Sequence, residues 1–424
     1  MQAAYPLDNP VMPYAWGSYT ALADLLGQPR PSAEPQAELW LGAHPKAPSK
    51  VSGKGGSRAL NDLIAQAPDR MLGAAVAAAH GGRLPFLLKV LAAREPLSIQ
   101  AHPSLAQARE GFARENREGV PLDAPERNYR DDNHKPELIC ALTPFWALCG
   151  FRPPDQIARL LSRACGDSLE PLVAKLQSGS DRARLKSFLE GLLSLSASRR
   201  HLALEETVAF CLATREDAAH WRWIPRLAQA YPGDIGALAP LFLNLVCLQP
   251  GEALFLPAGV LHAYLEGTGV EIMANSDNVL RGGLTPKHVD LPELLAVLNF
   301  APYPLAVVSA RETAAGITAF DAFCPEFQLH VLFPGQADGS SEAGSEAGSE
   351  AGSEAGIELP SPGPEILLCT AGETALISRA ANTELLLKKG TGVFIPAATA
   401  VYRLRGEGCV YRASVPAEAH LKRE

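Results

Sequence analysis

From the start of the chain to about Phe151, apolar residues come in short stretches such as AELWLGAHP, PFLLKVL and ELICALTPFWALCGF, each broken by Gly, Pro or Asn. Stretches of this length between turn residues predict strands. From about Pro153 to Tyr231 the period lengthens. Leu185, Phe188, Leu189, Leu192 and Leu193 fall at i, i+3, i+4, i+7 and i+8, and Ile157, Leu160, Leu161 and Ala164 at i, i+3, i+4 and i+7, which is the stripe of an amphipathic helix. The strand pattern returns from Leu243. The chain therefore reads as mainly β with an α-helical insertion.

Two late segments can be laid over one another. Gly251-EALFL-Pro257-Ala-Gly259-VL-His262 has the form G-x5-P-x-G-x2-H, and Gly390-TGVFI-Pro396-Ala-Ala398-TA-Val401 repeats its Gly and Pro spacing with Ala and Val at the last two marked positions. An apolar strand between a Gly turn and a Pro turn is thus a repeated unit. Between them, Ser341 to Gly356 is four copies of SEAG. Small, polar and acidic residues without apolar anchors cannot form a core, so a flexible acidic surface loop is expected there.

At 424 residues the chain has room for two or three compact domains, and 47% hydrophobic with 20% charged residues is a globular composition. The balance of 38 basic and 46 acidic residues gives -8, with no basic run, which argues against nucleic acid as a partner. An anionic substrate would need a local basic pocket. The eight cysteines are scattered without a C-x-x-C pair, so buried, reduced thiols are expected rather than a disulfide framework. The N-terminus shows no basic start followed by an apolar stretch, and runs such as Leu238 to Leu248 are too short to span a bilayer. A cytoplasmic location without membrane contact is the expectation.

The chemistry concentrates in three segments: Gln100 and His102 in LSIQAHP, Glu137 in HKPELI, and His262 in PAGVLHAY. Alternation along a strand would put Ser98, Gln100 and His102 on one face, and Lys135 and Glu137 on one face of another. Pro103 and Pro136 stand where a strand would end. Two imidazoles, a carboxylate and an amide oxygen suit a borderline divalent ion such as zinc, and the lack of thiolate argues against a closed structural site. With Glu137 as the one charged ligand the ion keeps net positive charge, as a Lewis acid requires.

The first of the repeated segments resembles the second half of the cupin signature, a small double-stranded β-helix or jelly roll holding a metal in its barrel; the second resembles a copy without its metal ligand. The chain departs from the commonest cupin pattern in having Gln-x-His for His-x-His, and Glu266 where an Asn often lies. More fully, it resembles the type I phosphomannose isomerases. The resemblance runs through YAWGS around Trp16, AELWLGAHP (37 to 45), PFLLKVL (85 to 91), LSIQAHP (97 to 103), NHKPELICALTPF (133 to 145) and LCGFRP (148 to 153). It continues through PAGVLHAYLEG (257 to 267) and EIMANSDNVLRGGLTPKHVD (271 to 290).

What the resemblance implies is a reaction, a metal and a set of roles. The reaction is the interconversion of mannose 6-phosphate and fructose 6-phosphate through a cis-enediol, with one zinc per chain on Gln100, His102, Glu137 and His262. Arg281 takes the family's active-site arginine position, for the developing oxyanion or the phosphate. Lys135 and Glu271 are the candidates for proton transfer between carbons, and His134 and Asp277 for ring opening. Lys287, Lys89 and Ser98 would help hold the phosphate, and Tyr264 would line the pocket. His44 lies in a matched segment, where a structural role is expected. Strand alternation adds that His134 and Lys135 cannot both face the metal unless the backbone bends.

The implied architecture is two cupin-type jelly rolls plus a helical domain. Residues 1–152 and 241–300 would form the catalytic unit, 153–240 the helical insertion, and 301–424 a degenerate unit carrying the SEAG loop at 339–356. The only partner expected is a sugar phosphate, and the chain is expected to be a monomer, or at most a weak homodimer. A non-catalytic sugar-phosphate-binding cupin is the rival reading; Lys135, Glu271 and Arg281 argue against it, because binding alone needs no proton-transfer group beside the metal. A cupin oxygenase would favour iron and a His-rich set, which Gln100 makes unsuitable.

Overall fold

The computed structural model describes residues 2–53, 56–321, 323–337 and 356–416, so the SEAG repeats up to Ala355 lie outside the described residues. β-Strands form the frame, and the longest run of helices lies between Pro154 and Ala230. The chain divides into two compact units: Met1–Ala92, Val270–Asn275 and Val308–Glu424 form the first, and Ala93–Gly269 with Ser276–Val307 the second.

In the second unit the 3.6-residue period becomes the helices Pro154–Ala164, Glu170–Lys175, Asp181–Leu193, Ala197–Ala213 and Ala219–Ala230. Ser180 and Ser196 accept backbone N–H groups at two of the helix starts, satisfying donors that the first turn leaves unpaired. Leu185, Phe188, Leu189 and Leu192 form a buried stripe. It shares one core with Ile157, Leu161, Trp221, Leu227 and Phe242 and with Leu148 and Phe151 of the sheet. Each such side chain contributes about 1.5–3 kcal/mol on burial. That packing fixes the helices against the strands that carry the chemistry.

Those strands are antiparallel and follow one another across a sheet. Leu243–Leu248 pairs with Phe145–Phe151, and Phe145–Phe151 with the start of His262–Ala274. His262 in turn faces Gln100 of the short strand Ile99–Ala101, whose other neighbour is Leu280–Gly283. In the same sheet Glu137–Ala141 lies between His262–Ala274 and Glu252–Leu256, with Leu256 opposite Glu137.

In the first unit, Tyr5–Asp8 bridges the hairpin Lys50–Gly53 and Gly56–Ala59 to Gly392–Ile395 and the C-terminal strands, giving nine antiparallel strands among the described residues. A four-stranded sheet built on Ile357–Ser361 and Ala400–Arg405 shares a core with it through Leu359, Leu367, Leu376, Val393, Tyr402 and Leu404. The repeat is visible in the backbone. Gly251 and Gly390 adopt the same left-handed turn, with φ of 89° and 84°. At the position matching His262, Val401 is exposed. All eight cysteines are free, six of them buried. No helix among the described residues is long and apolar enough to cross a membrane.

The first unit also buries a charge pair. Arg412 Nε donates to Glu365 Oε2 at 2.9 Å, the Tyr402 hydroxyl donates to the same oxygen at 2.6 Å, and Arg412 reaches the Pro360 carbonyl at 2.9 Å. Burial beside Glu365 pushes the Tyr402 phenol well above its ordinary range, so its hydroxyl stays a donor. Glu365→Ala would strand a buried guanidinium. We expect a loss of about 3–5 kcal/mol, read as a lowered unfolding midpoint in urea at unchanged native far-UV circular dichroism.

Candidate metal centre and active site

His262 follows the turn Pro257 to Leu261 that leaves the Leu256 strand end opposite Glu137. Gly259 makes this turn possible: its φ is 76°, and a Cβ there would meet the Val297 carbonyl at 2.9 Å. Its N–H donates to the His102 carbonyl at 2.8 Å. Beyond His102, Ser104 and Gln107 form a capping box that starts the helix Leu105–Arg117. The chain around His102 is therefore held by the Gly259 N–H on one side and the capping box on the other.

The result is a buried cluster of His102, Glu137 and His262, whose ligand atoms lie within 4.8 Å of one another. His102 Nδ1 donates to the Asn278 carbonyl at 2.7 Å, and His262 Nδ1 to the Val260 carbonyl at 2.9 Å. Because a carbonyl only accepts, each ring carries its proton on Nδ1 and turns a lone pair on Nε2 inward. Those nitrogens stand 3.3 Å from Glu137 Oε1 and 3.4 Å from Glu137 Oε2. His102 Nε2 and Glu137 Oε2 are buried without a hydrogen-bond partner. Electron-rich atoms gathered in this way repel unless a cation lies among them, so the residues fit a metal ion.

Gln100 lies beside this cluster. Its amide end is 3.4 Å from His262 Nε2, and turning the amide over presents its oxygen to the same point. Burial depresses His102 to about 4, which keeps the ring neutral as a ligand must be. Burial alone would raise Glu137, but Lys135 and then His102 outweigh it and hold the carboxyl well below its ordinary value. Since His102 is neutral near pH 7, Lys135 is the partner that matters, with Nζ 2.6 Å from Glu137 Oε1.

The strand expectation around Gln100 holds only in part. The strand ends at Ala101, so His102 owes its position to Asn278 and Gly259 rather than to alternation. Lys135 and Glu137 do turn the same way, whereas His134 is half-buried just outside the strand. Arg281 sits across from Gln100 in register. It is half-buried, no carboxylate among the described residues pairs with it, and burial together with nearby Arg130 lowers its pKa. A second positive charge near Arg281 suits an anion. Arg130 was not singled out by sequence, because nothing in its local pattern distinguishes it from a solvated charge.

Of the remaining candidates in this unit, Tyr264 is buried two residues beyond His262, with ring centroids 6.1 Å apart. Ser98 and Asp277 are half-buried and Lys287 is exposed. Glu266 is ion-paired with Arg226 at the surface, away from any ligand role. Lys89 and Glu271 belong to the first unit, where their side chains pair at 3.2 Å; Lys89 also lies 3.5 Å from Glu38, which accepts the Trp40 indole N–H at 2.6 Å. His44 packs edge-on against Trp40 at 5.0 Å and accepts the Lys46 N–H, as a structural residue would.

Comparison with known proteins extends this geometry. Residues 4–154 match the family model described as phosphomannose isomerase type I, catalytic domain. Mannose-6-phosphate isomerase of Escherichia coli K12 is 39% identical over 412 residues, 96% of this chain and 98% of that one. The human mannose-6-phosphate isomerase is 39% identical over 321 residues, 70% and 73% of the two chains. A zinc-bound crystal structure of mannose 6-phosphate isomerase superimposes with a TM-score of 0.87 at 38% identity, covering 98% of this chain and all of the other. A mutant phosphomannose isomerase from Salmonella typhimurium gives the same score, identity and coverage. Full-length identity at this level and the inward-facing histidine pair lead to one assignment: the chain belongs to the type I phosphomannose isomerase family.

Proposed function

We propose that this protein is a zinc-dependent aldose-ketose isomerase that interconverts mannose 6-phosphate and fructose 6-phosphate. The observation that carries the reading is the convergence of two histidine lone pairs and a carboxylate in a buried pocket, 3.3–3.4 Å apart, near an arginine that no carboxylate among the described residues pairs with. Gln100, His102, Glu137 and His262 would hold the zinc, which would supply a Lewis acid for the sugar oxygens that change charge.

The chain's own groups do the rest. Arg281, one strand from Gln100 and backed by Arg130, offers a fork of donors to the phosphate or to the oxyanion that develops along the cis-enediol. Lys287 and Ser98 extend the phosphate contacts, and Tyr264 shapes the pocket wall beside His262. Lys135 holds Glu137 at 2.6 Å; to accept a proton from carbon it must first give up that contact, which suits it better to orienting the ligand and delivering a proton to oxygen. Glu271 is then the stronger candidate for moving the proton between C2 and C1, an assignment that rests on the family resemblance, as does that of Lys89 to the phosphate. His134 and Asp277 are assigned to ring opening on the same ground.

At the finer level of fold, we read the strands as two cupin-type jelly rolls. The shared turn at Gly251 and Gly390, and the replacement of His262 by Val401 in the second copy, support that reading. Residues 153–240 are the helical insertion, the sugar phosphate is the one partner, and the protein acts as a cytoplasmic monomer.

Isomerisation of mannose 6-phosphate is expected to disappear on chelation and to return with zinc. A folded, zinc-loaded protein without turnover would instead make this a sugar-phosphate-binding cupin. Arg281→Ala is expected to lower kcat about 10²–10³-fold at unchanged zinc content by atomic absorption. For Lys135→Met, retained isotope exchange at C2 is the expected result, and its loss would return the carbon base to Lys135.

A further inference from the structure

Two segments reach the metal centre from loops that share no strand pairing with each other: Arg130 to Glu137, and Ser276 to Arg281. The first brings Lys135 and Glu137; the second brings the Asn278 carbonyl that orients His102, and then Arg281. Asp131 is what joins them. Its Oδ1 accepts from the Ser276 hydroxyl at 2.7 Å, the Asn133 N–H at 3.0 Å and the Asn278 amide at 3.2 Å, and its Oδ2 accepts from the Asp277 N–H at 2.7 Å. Three of those four donors belong to the opposite segment.

Asn278 answers in the other direction. Its fully buried side chain donates to the Asp131 carbonyl at 2.8 Å and the Asn133 carbonyl at 2.9 Å, and accepts the Arg130 N–H at 2.7 Å. Every donor around the Asp131 carboxylate requires an acceptor, and both of its oxygens are engaged. An amide of the same shape can serve only one side, since its NH2 would face a donor whichever way it turned.

We propose that Asp131 is a positioning residue for the metal centre: its carboxylate locks the Lys135–Glu137 segment to the Asn278–Arg281 segment, and so holds the His102 tautomer, Glu137 and Arg281 at fixed separations. The proposal rests on the zinc-isomerase reading above for its catalytic consequence, though not for its effect on the metal. Groups hydrogen-bonded directly to metal ligands are typically worth 10–100-fold in metal affinity; Asp131 acts one bond further out, through the Asn278 carbonyl on His102, so its effect falls at the low end of that range.

The test uses the full-length protein with Asp131→Asn and, separately, Ser276→Ala. Zinc affinity is measured by competition with a chromogenic chelator, ligand geometry by the d–d spectrum of the cobalt(II) form, and folding by circular dichroism. For Asp131→Asn the expected result is a native fold, a zinc dissociation constant raised about 10-fold, shifted cobalt bands, and a kcat that falls more than KM rises. Ser276→Ala should move the same readouts in the same direction by less, and it decides the matter if the Asp131→Asn protein does not fold. Wild-type zinc affinity and an unchanged cobalt spectrum in a folded variant would overturn the proposal. If the wild-type protein binds zinc without isomerising, the isomerase reading fails, while the metal readouts still judge Asp131.

Discussion

Two backbone carbonyls decide what this protein can bind. The Asn278 and Val260 carbonyls each accept a hydrogen bond from a histidine Nδ1–H, and the lone pairs left on the opposite nitrogens meet the Glu137 carboxylate in a buried space. The pocket is electron-rich by construction. Much of the second unit serves this arrangement: the helices that press against the sheet, the Gly259 turn, the capping box after His102 and the register that sets Gln100 between His262 and Arg281. None of these touches the reacting atoms, yet each limits where a ligand atom can go.

The first unit solves the same electrostatic difficulty without an outside ion. There the buried carboxylate is Glu365, and the compensating cation is the chain's own Arg412, with Tyr402 supplying another donor. Lys89 stands in a similar relation to Glu271 and Glu38. Breaking any such pair leaves a charge in a low-dielectric interior, so the partners survive together or not at all. At the metal centre Lys135 plays that part for Glu137 at 2.6 Å, while the inward histidine nitrogens still call for a cation.

How much of this was legible in the sequence depended on the range of the interaction. The helices announced themselves because Leu185, Phe188, Leu189 and Leu192 obey a local period, and the Gly251 and Gly390 turns because spacing survives without a structure. The clustered residues His102, Glu137 and His262 were legible by type and by resemblance to a known family. His102 was placed by strand alternation, whereas the strand stops at Ala101 and the histidine is held by partners 157 and 176 residues away along the chain. Asp131 and Arg130 gave no signal at all, and Asn278 stood in a matched segment with nothing to mark its role. A hydrogen bond to a distant main-chain group leaves no periodicity, and an aspartate beside another aspartate in RDDNHK reads as loop polarity until the opposite segment is seen.

The two histidine anchors differ in what mutation can do to them. Val260 holds His262 through a carbonyl two residues away on the same short turn, and every amino acid brings that carbonyl with it. Asn278 holds His102 through a carbonyl too, but one whose location depends on the side chains of Asn278, Asp131 and Ser276. Drift at three positions remote from the ion can therefore erode one half of the centre, while the other half is inherited with the backbone. The same fold thus contains a ligand that sequence change can loosen by degrees and one that it can lose only outright.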